Sequence, residues 1–185
     1  MSHSEGVERE LKFAVVDHDA LRERLESLEA ERQGSPAFED NWVFDREGVL
    51  EEEGRMLRLR LGGSGSWLTI KGPASYEGRV KVREETETSV GDAEKMRSIL
   101  EALGYRLAYR YQKYREEWHL GSIVISLDHT PVGDFVEFEG EGCEKIAQRS
   151  GFDPEDAERR NYLRLWADHQ EKNPEAPPDM VFRET

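Results

Sequence analysis

Glu8, Glu10 and Lys12 alternate along the stretch Val7 to Val16, VERELKFAVV, so in a strand they share one face while Val7, Leu11, Phe13 and Val15 share the other. Taken alone, this is a half-buried strand with its charged side in water. Repetition changes the reading. The same alternation places Arg58 with Arg60 in LRLRL, Arg83 with Glu85 and Glu87 in VREETET, Lys113 with Arg115 in QKYREEW, and Glu137 with Glu139 in FVEFEG. A solvated face has no need to sort basic strands from acidic ones. Carboxylates lining an enclosed space repel by about 2 kcal/mol for a pair roughly 7 Å apart at an effective dielectric of about 20. A hard divalent cation with oxygen ligands, Mg2+ or Mn2+, offsets that repulsion. Enclosed Arg and Lys need an anion of matching charge density, and a polyphosphate meets that need while also ligating the metal.

The elements that must position these side chains follow from periodicity. Strands are expected at Val7–Val16, across FEDNWVFD, at Met56–Leu61, through SWLTIKG, at Arg79–Ser89, over Tyr105–His119, in SIVISLDH and in DFVEFEG. The Gly62–Gly65 turn joins two of them as a hairpin. Helices are expected over DHDALRERLESLEAER, with Leu21, Leu25 and Leu28 buried, and over AEKMRSILEAL, capped by Asp92, with Met96, Ile99, Leu100 and Leu103 buried. A last helix should run from Pro154 to about Gln170, carrying Tyr162, Leu163 and Trp166. Gly48–Gly54 reads as a solvated connection. The sum is an α+β fold: an eight-stranded antiparallel barrel with a charged interior and helices packed outside.

Composition supports an unusual interior. The 185 residues suit one domain, and apolar and charged residues each make up 36% of the chain, too few apolar side chains for a sheet packed on both faces. A formal net charge of −14 argues against a nucleic-acid binder, though a basic pocket can sit inside an acidic shell. Cys143 is the single cysteine, so no internal disulfide or cysteine zinc site is expected. No apolar run is long enough to span a bilayer, and a soluble cytoplasmic protein without a membrane partner is expected. The oligomeric state is left open.

GluXGluXLys on the first strand resembles the signature of the CYTH superfamily, the triphosphate tunnel metalloenzymes, among them class IV adenylate cyclases, thiamine triphosphatases and inorganic triphosphatases. Arg58 with Arg60, Lys71 in TIKG, Arg83 with Glu85, Lys113 with Arg115, Asp128 in SLDH and Glu137 with Glu139 follow in the family's order, and NYLRLW is similar to its SYxxLL segment, with Asn161 where Ser is usual. The resemblance covers about Val7 to Trp166. A single tunnel domain over residues 1–172 is expected, and the PEAPPD composition marks 173–185 as a frayed tail. The resemblance implies Lys12, Arg58, Arg60, Lys71, Arg83, Lys113 and Arg115 as phosphate ligands. Glu8, Glu10, Asp128, Glu137 and Glu139 would hold Mg2+ or Mn2+, with Glu8, Glu10 and Lys12 closest to the reaction. Glu85 is open between ligating a second metal and orienting an arginine.

Lys81 and Glu87 read as solvated strand-end residues, and His119, His129 and His169 lack metal-ligand spacing. The expected activity is metal-dependent hydrolysis of a triphosphate such as tripolyphosphate, thiamine triphosphate or a nucleoside triphosphate. The alternative is cyclisation of ATP to cyclic AMP and pyrophosphate. A non-catalytic polyphosphate binder would not need so many carboxylates beside its ligand, and a lipocalin-like carrier would need an apolar interior.

Overall fold

The computed structural model describes residues 6–15 and 17–183; Val16, the end of the expected first strand, lies outside them. Strands β1 (Gly6–Val15), β3 (Ala37–Asp45), β4 (Met56–Gly62), β5 (Gly65–Lys71), β7 (Val80–Val90), β8 (Arg106–Leu120), β9 (Ile123–Thr130) and β10 (Gly133–Glu139) close into an eight-stranded antiparallel barrel. Two short strands, β2 (Glu31–Arg32) and β6 (Ser75–Glu77), flank β8 and β7. The path runs β1-β10-β9-β8-β3-β4-β5-β7 and is closed by β1 pairing with β7. The β4–β5 hairpin turns where expected, with Gly62 opposite Gly65 and Gly65 at φ 135°, a conformation that favours glycine.

Alternation sends apolar side chains outward, where helices cover them. Leu11 and Phe13 of β1 join Ile125, Leu127, Val136 and Phe138 beneath α1 (His18–Ser27) and α4 (Cys143–Arg149). Trp42, Phe44, Leu57 and Leu59 lie under α2 (Val49–Glu52) and α3 (Ala93–Ala102). A third cluster fills one end of the barrel, where Val43, Tyr111 and Phe135 meet Tyr162, Leu165 and Trp166 of α5 (Tyr162–Lys172). Among the described residues no helix is long and apolar enough to cross a membrane.

Several expectations change. α2 and α4 were not foreseen, the first because its single turn is hidden in a glutamate run. On α3, Leu100 is buried but Ile99 and Leu103 are more than half exposed, because the barrel wall meets only one edge of the expected stripe. The last helix is broken. Residues Pro154–Asp156 form one 3-10 turn, and the chain then runs extended with the Glu158 amide donating to the Lys12 carbonyl at 2.7 Å before Asn161 caps α5.

The tail expected to fray is bound. β8 extends beyond its pairing with β9, which covers only Tyr114–Leu120. That exposed edge is taken by residues 179–182: the Met180 amide donates to the Arg110 carbonyl, the Gln112 amide donates to the Met180 carbonyl, and Met180 is fully buried in the cluster at the barrel end. Trp166 Nε1 and Gln170 Nε2 both donate to the Pro177 carbonyl.

Candidate active site

The barrel encloses a cavity of about 970 Å³. Its acidic wall comes from β1 and β10, whose register sets Glu10 opposite Glu139 and Lys12 opposite Glu137. Its basic wall comes from Arg58 and Arg60 of β4, Lys71 of β5, Arg83 of β7, and Lys113 and Arg115 of β8. Twelve of the thirteen expected site residues line this space, Glu8 and Glu85 included. Asp128 is the exception. It is fully buried, and its carboxylate accepts from Lys113 Nζ at 3.0 Å, Arg115 Nε at 2.7 Å and Nη2 at 2.6 Å, and the Tyr162 hydroxyl at 2.7 Å. The carboxylate thus braces Lys113 and Arg115, two bases that line the cavity, and its oxygens are engaged in these contacts.

Acids and bases cross-neutralise each other. Lys71 Nζ contacts Glu8 at 2.7 Å and Glu85 at 2.9 Å. Arg115 contacts Glu137 at 2.5 Å. Arg60 spans Glu87 at 3.1 Å and Glu39 at 3.5 Å. Glu85 therefore pairs with a lysine, where the sequence left a second metal or an arginine open.

The pKa directions follow from these contacts. Burial would raise Glu39, but Lys113, Arg115 and Arg60 hold it down at about 2. Glu137 is likewise held well below the usual carboxylate range, Arg115, Lys113 and Lys12 outweighing its burial. Burial lowers both Lys71 and Lys12, yet only Lys71 ends above the ordinary lysine value, because Glu8 and Glu85 outweigh its desolvation. Lys12 has no carboxylate within 4 Å among the described residues; its ammonium lies 4.5 Å from the Tyr162 ring centroid, and its pKa is depressed. Glu139 is raised to about 7 by burial and by the neighbouring Glu8 and Glu10.

The donor set Glu8, Glu10, Glu137 and Glu139 is all carboxylate oxygen, on two adjacent strands, with one member forced toward its neutral form by its neighbours. That chemistry fits a hard divalent cation. Among the described residues no three carboxylates converge on one point as they stand, since Glu8 and Glu10 are turned onto Lys71 and Lys81.

Sequence reasoning set aside two charged residues of β7 that line this space. Lys81, left as solvated, contacts Glu10 at 2.6 Å, and Glu87 accepts from Thr69 Oγ1 at 2.6 Å and from Arg60. Their parity with Arg83 was the available signal. Glu39 was hidden by the weak alternation of FEDNWVFD, although Glu39 and Asn41 share the inward parity. Arg83 departs in another way, its guanidinium donating to the Gly72 and Gly54 carbonyls and so tying down two loops.

The CYTH domain profile matches residues 6–162, the span that contains every one of these side chains. The chain belongs to the CYTH family. A protein of Methanocaldococcus jannaschii, whose name marks it provisionally as an adenylate cyclase, is 30% identical over 134 residues, 72% of this CYTH chain and 76% of its own. Adenylate cyclase CyaB of Aeromonas hydrophila is 30% identical over 141 residues, 73% of this chain and 70% of its own. A solved structure from Vibrio parahaemolyticus, provisionally described as an adenylate cyclase, superposes with a TM-score of 0.77 at 26% identity, covering 86% of this chain and 97% of that one.

Proposed function

We propose that this CYTH protein is a divalent-metal-dependent phosphohydrolase that cleaves a phosphoanhydride bond of a triphosphate held inside the barrel. The observation that carries the reading is the opposition of a carboxylate wall on β1 and β10 to a basic wall on β4, β5 and β8 across one cavity. Arg58, Arg60, Lys113 and Arg115 would bind and align the phosphate chain, with Asp128 and Tyr162 fixing the last two. Glu8, Glu10, Glu137 and Glu139 would hold Mg2+ or Mn2+, which supplies charge neutralisation on the phosphoryl oxygens. Lys12, buried against Tyr162 and without a carboxylate within 4 Å among the described residues, brings a cation to the anion at little cost in broken ion pairs.

A second reading is cyclisation of a nucleoside triphosphate. The names of the two 30%-identical relatives favour it, as does a cavity at the upper end of the range for ligand pockets, about 300 to 1,000 Å³. Both readings use the same phosphate and metal residues and differ in the nucleophile, water or the ribose hydroxyl. Incubation with ATP or tripolyphosphate plus Mn2+ or Mg2+, with product separation, tests them. Orthophosphate release supports hydrolysis, cyclic AMP with pyrophosphate replaces it by the second reading, and full turnover in excess EDTA refutes both.

A further inference from the structure

We propose that Glu87 is a built-in competitor for the substrate, its carboxylate occupying an anion subsite formed by Arg58, Arg60 and Thr69. The inference rests on the triphosphate reading above. Glu87 reaches across the β5–β7 pair, where it faces Thr69 in register, and accepts the Thr69 hydroxyl at 2.6 Å. The same carboxylate accepts from Arg60 Nη2 at 3.1 and 3.3 Å and lies 3.7 Å from Arg58 Nη2. A hydroxyl and two guanidinium groups around one anionic headgroup is a set of donors suited to a phosphate.

Apart from Glu87, the Arg60 guanidinium lies 5.0 Å from the Trp67 ring centroid and Arg58 Nη2 donates to Thr69 Oγ1 at 3.5 Å, and the remaining contacts of both are long. Arg58 donates to the Tyr111 hydroxyl at 3.3 Å and Arg60 to Glu39 at 3.5 Å, while the buried Nε atoms of both lack a hydrogen-bond partner among the described residues. Both guanidinium groups are thus incompletely satisfied by protein acceptors among the described residues, and an anion with more oxygens than a carboxylate can engage more of their donors. An entering triphosphate exchanges with Glu87, and the exchange lowers its net affinity.

Removing the competitor should therefore tighten anion binding, the opposite of what loss of an ordinary site residue does. The test is calorimetric titration of sodium tripolyphosphate, in EDTA and without metal, into the parent, Glu87→Gln and Glu87→Asp, with thermal melts of each. Glu87→Gln keeps an acceptor for Thr69 but drops the charge, and about tenfold tighter binding is expected, with Glu87→Asp intermediate because its carboxylate is drawn back from the arginines. Equal or weaker binding by Glu87→Gln, with the parent binding normally, overturns the inference and leaves the triphosphate reading standing. Failure of the parent itself to bind both in EDTA and in saturating Mg2+ removes both readings, and if it binds only with Mg2+ the same comparison of variants is made there. Unfolding of both variants also overturns it, since Glu87 would then be structural.

Discussion

Replacing Glu139 by Gln should make the metal-free protein more stable at pH 8 than its parent. In an unfolded chain this carboxyl ionises near 4.5, whereas in the barrel burial and the charges of Glu8 and Glu10 raise it to about 7. Between those values the folded protein holds a proton that the unfolded chain has already lost. Stability therefore falls as pH rises through that window, and above it the full cost is present. The difference corresponds to about 3 kcal/mol at pH 8, and the Gln variant, which carries no charge, avoids it. Below about pH 4.5 both forms are neutral in both states, and the advantage disappears. Urea denaturation in EDTA at pH 8 and pH 4.5 measures it. Equal stability of the two proteins at pH 8, or a gain that does not depend on pH, would refute the claim that Glu139 is strained by its neighbours. Saturating Mg2+ should close the gap by stabilising the parent, since the cation supplies the charge that the carboxylates lack.

Arg60→Ala should weaken tripolyphosphate binding by roughly 1.5 to 3 kcal/mol, the contribution of a hydrogen bond to a charged group; unchanged calorimetric affinity would show that this side chain does not face the ligand. Met180→Ala, which opens a void beneath the C-terminal segment, should cost about 2 to 5 kcal/mol of stability, and a melting temperature equal to the parent's would mean that the segment is not held as described.

The barrel was legible because its alternation is strict. Leu57, Leu59 and Leu61 against Arg58 and Arg60 leave one register and one inward face, and an error of a single residue would bury leucines in the tunnel and expose arginines on its wall. Partnering was not legible. Parity places Asp128 and Glu137 on the inward face alike, but only geometry reveals that Asp128 is closed off by Arg115, Lys113 and Tyr162, while Glu137 keeps access to the cavity. The bound tail escaped for a similar reason. PEAPPD carries no periodicity, and the place of residues 179–182 at its end is set by an edge of β8 that β9, being shorter, leaves uncovered. Glu87 and Lys81 were set aside because strand ends are usually solvated, and here β7 runs the full length of the cavity.

β1 carries Glu8, Glu10 and Lys12, and its two neighbours, β7 and β10, come from the middle and the far end of the chain. Glu10 meets Lys81 across one edge and Glu139 across the other, so the first of the barrel's strands to be made cannot complete its pairing until β10, the last of them, is made. Local hairpins such as β4–β5 and β9–β10 can form as soon as they are made, but barrel closure must wait for almost the whole sequence. Contacts of such long sequence separation make folding slow, in the range of milliseconds to seconds typical of β-barrels rather than the microseconds of helical bundles. Until closure, β1 presents an apolar face and two open edges, which makes the N-terminal strand the segment most exposed to misassociation during synthesis.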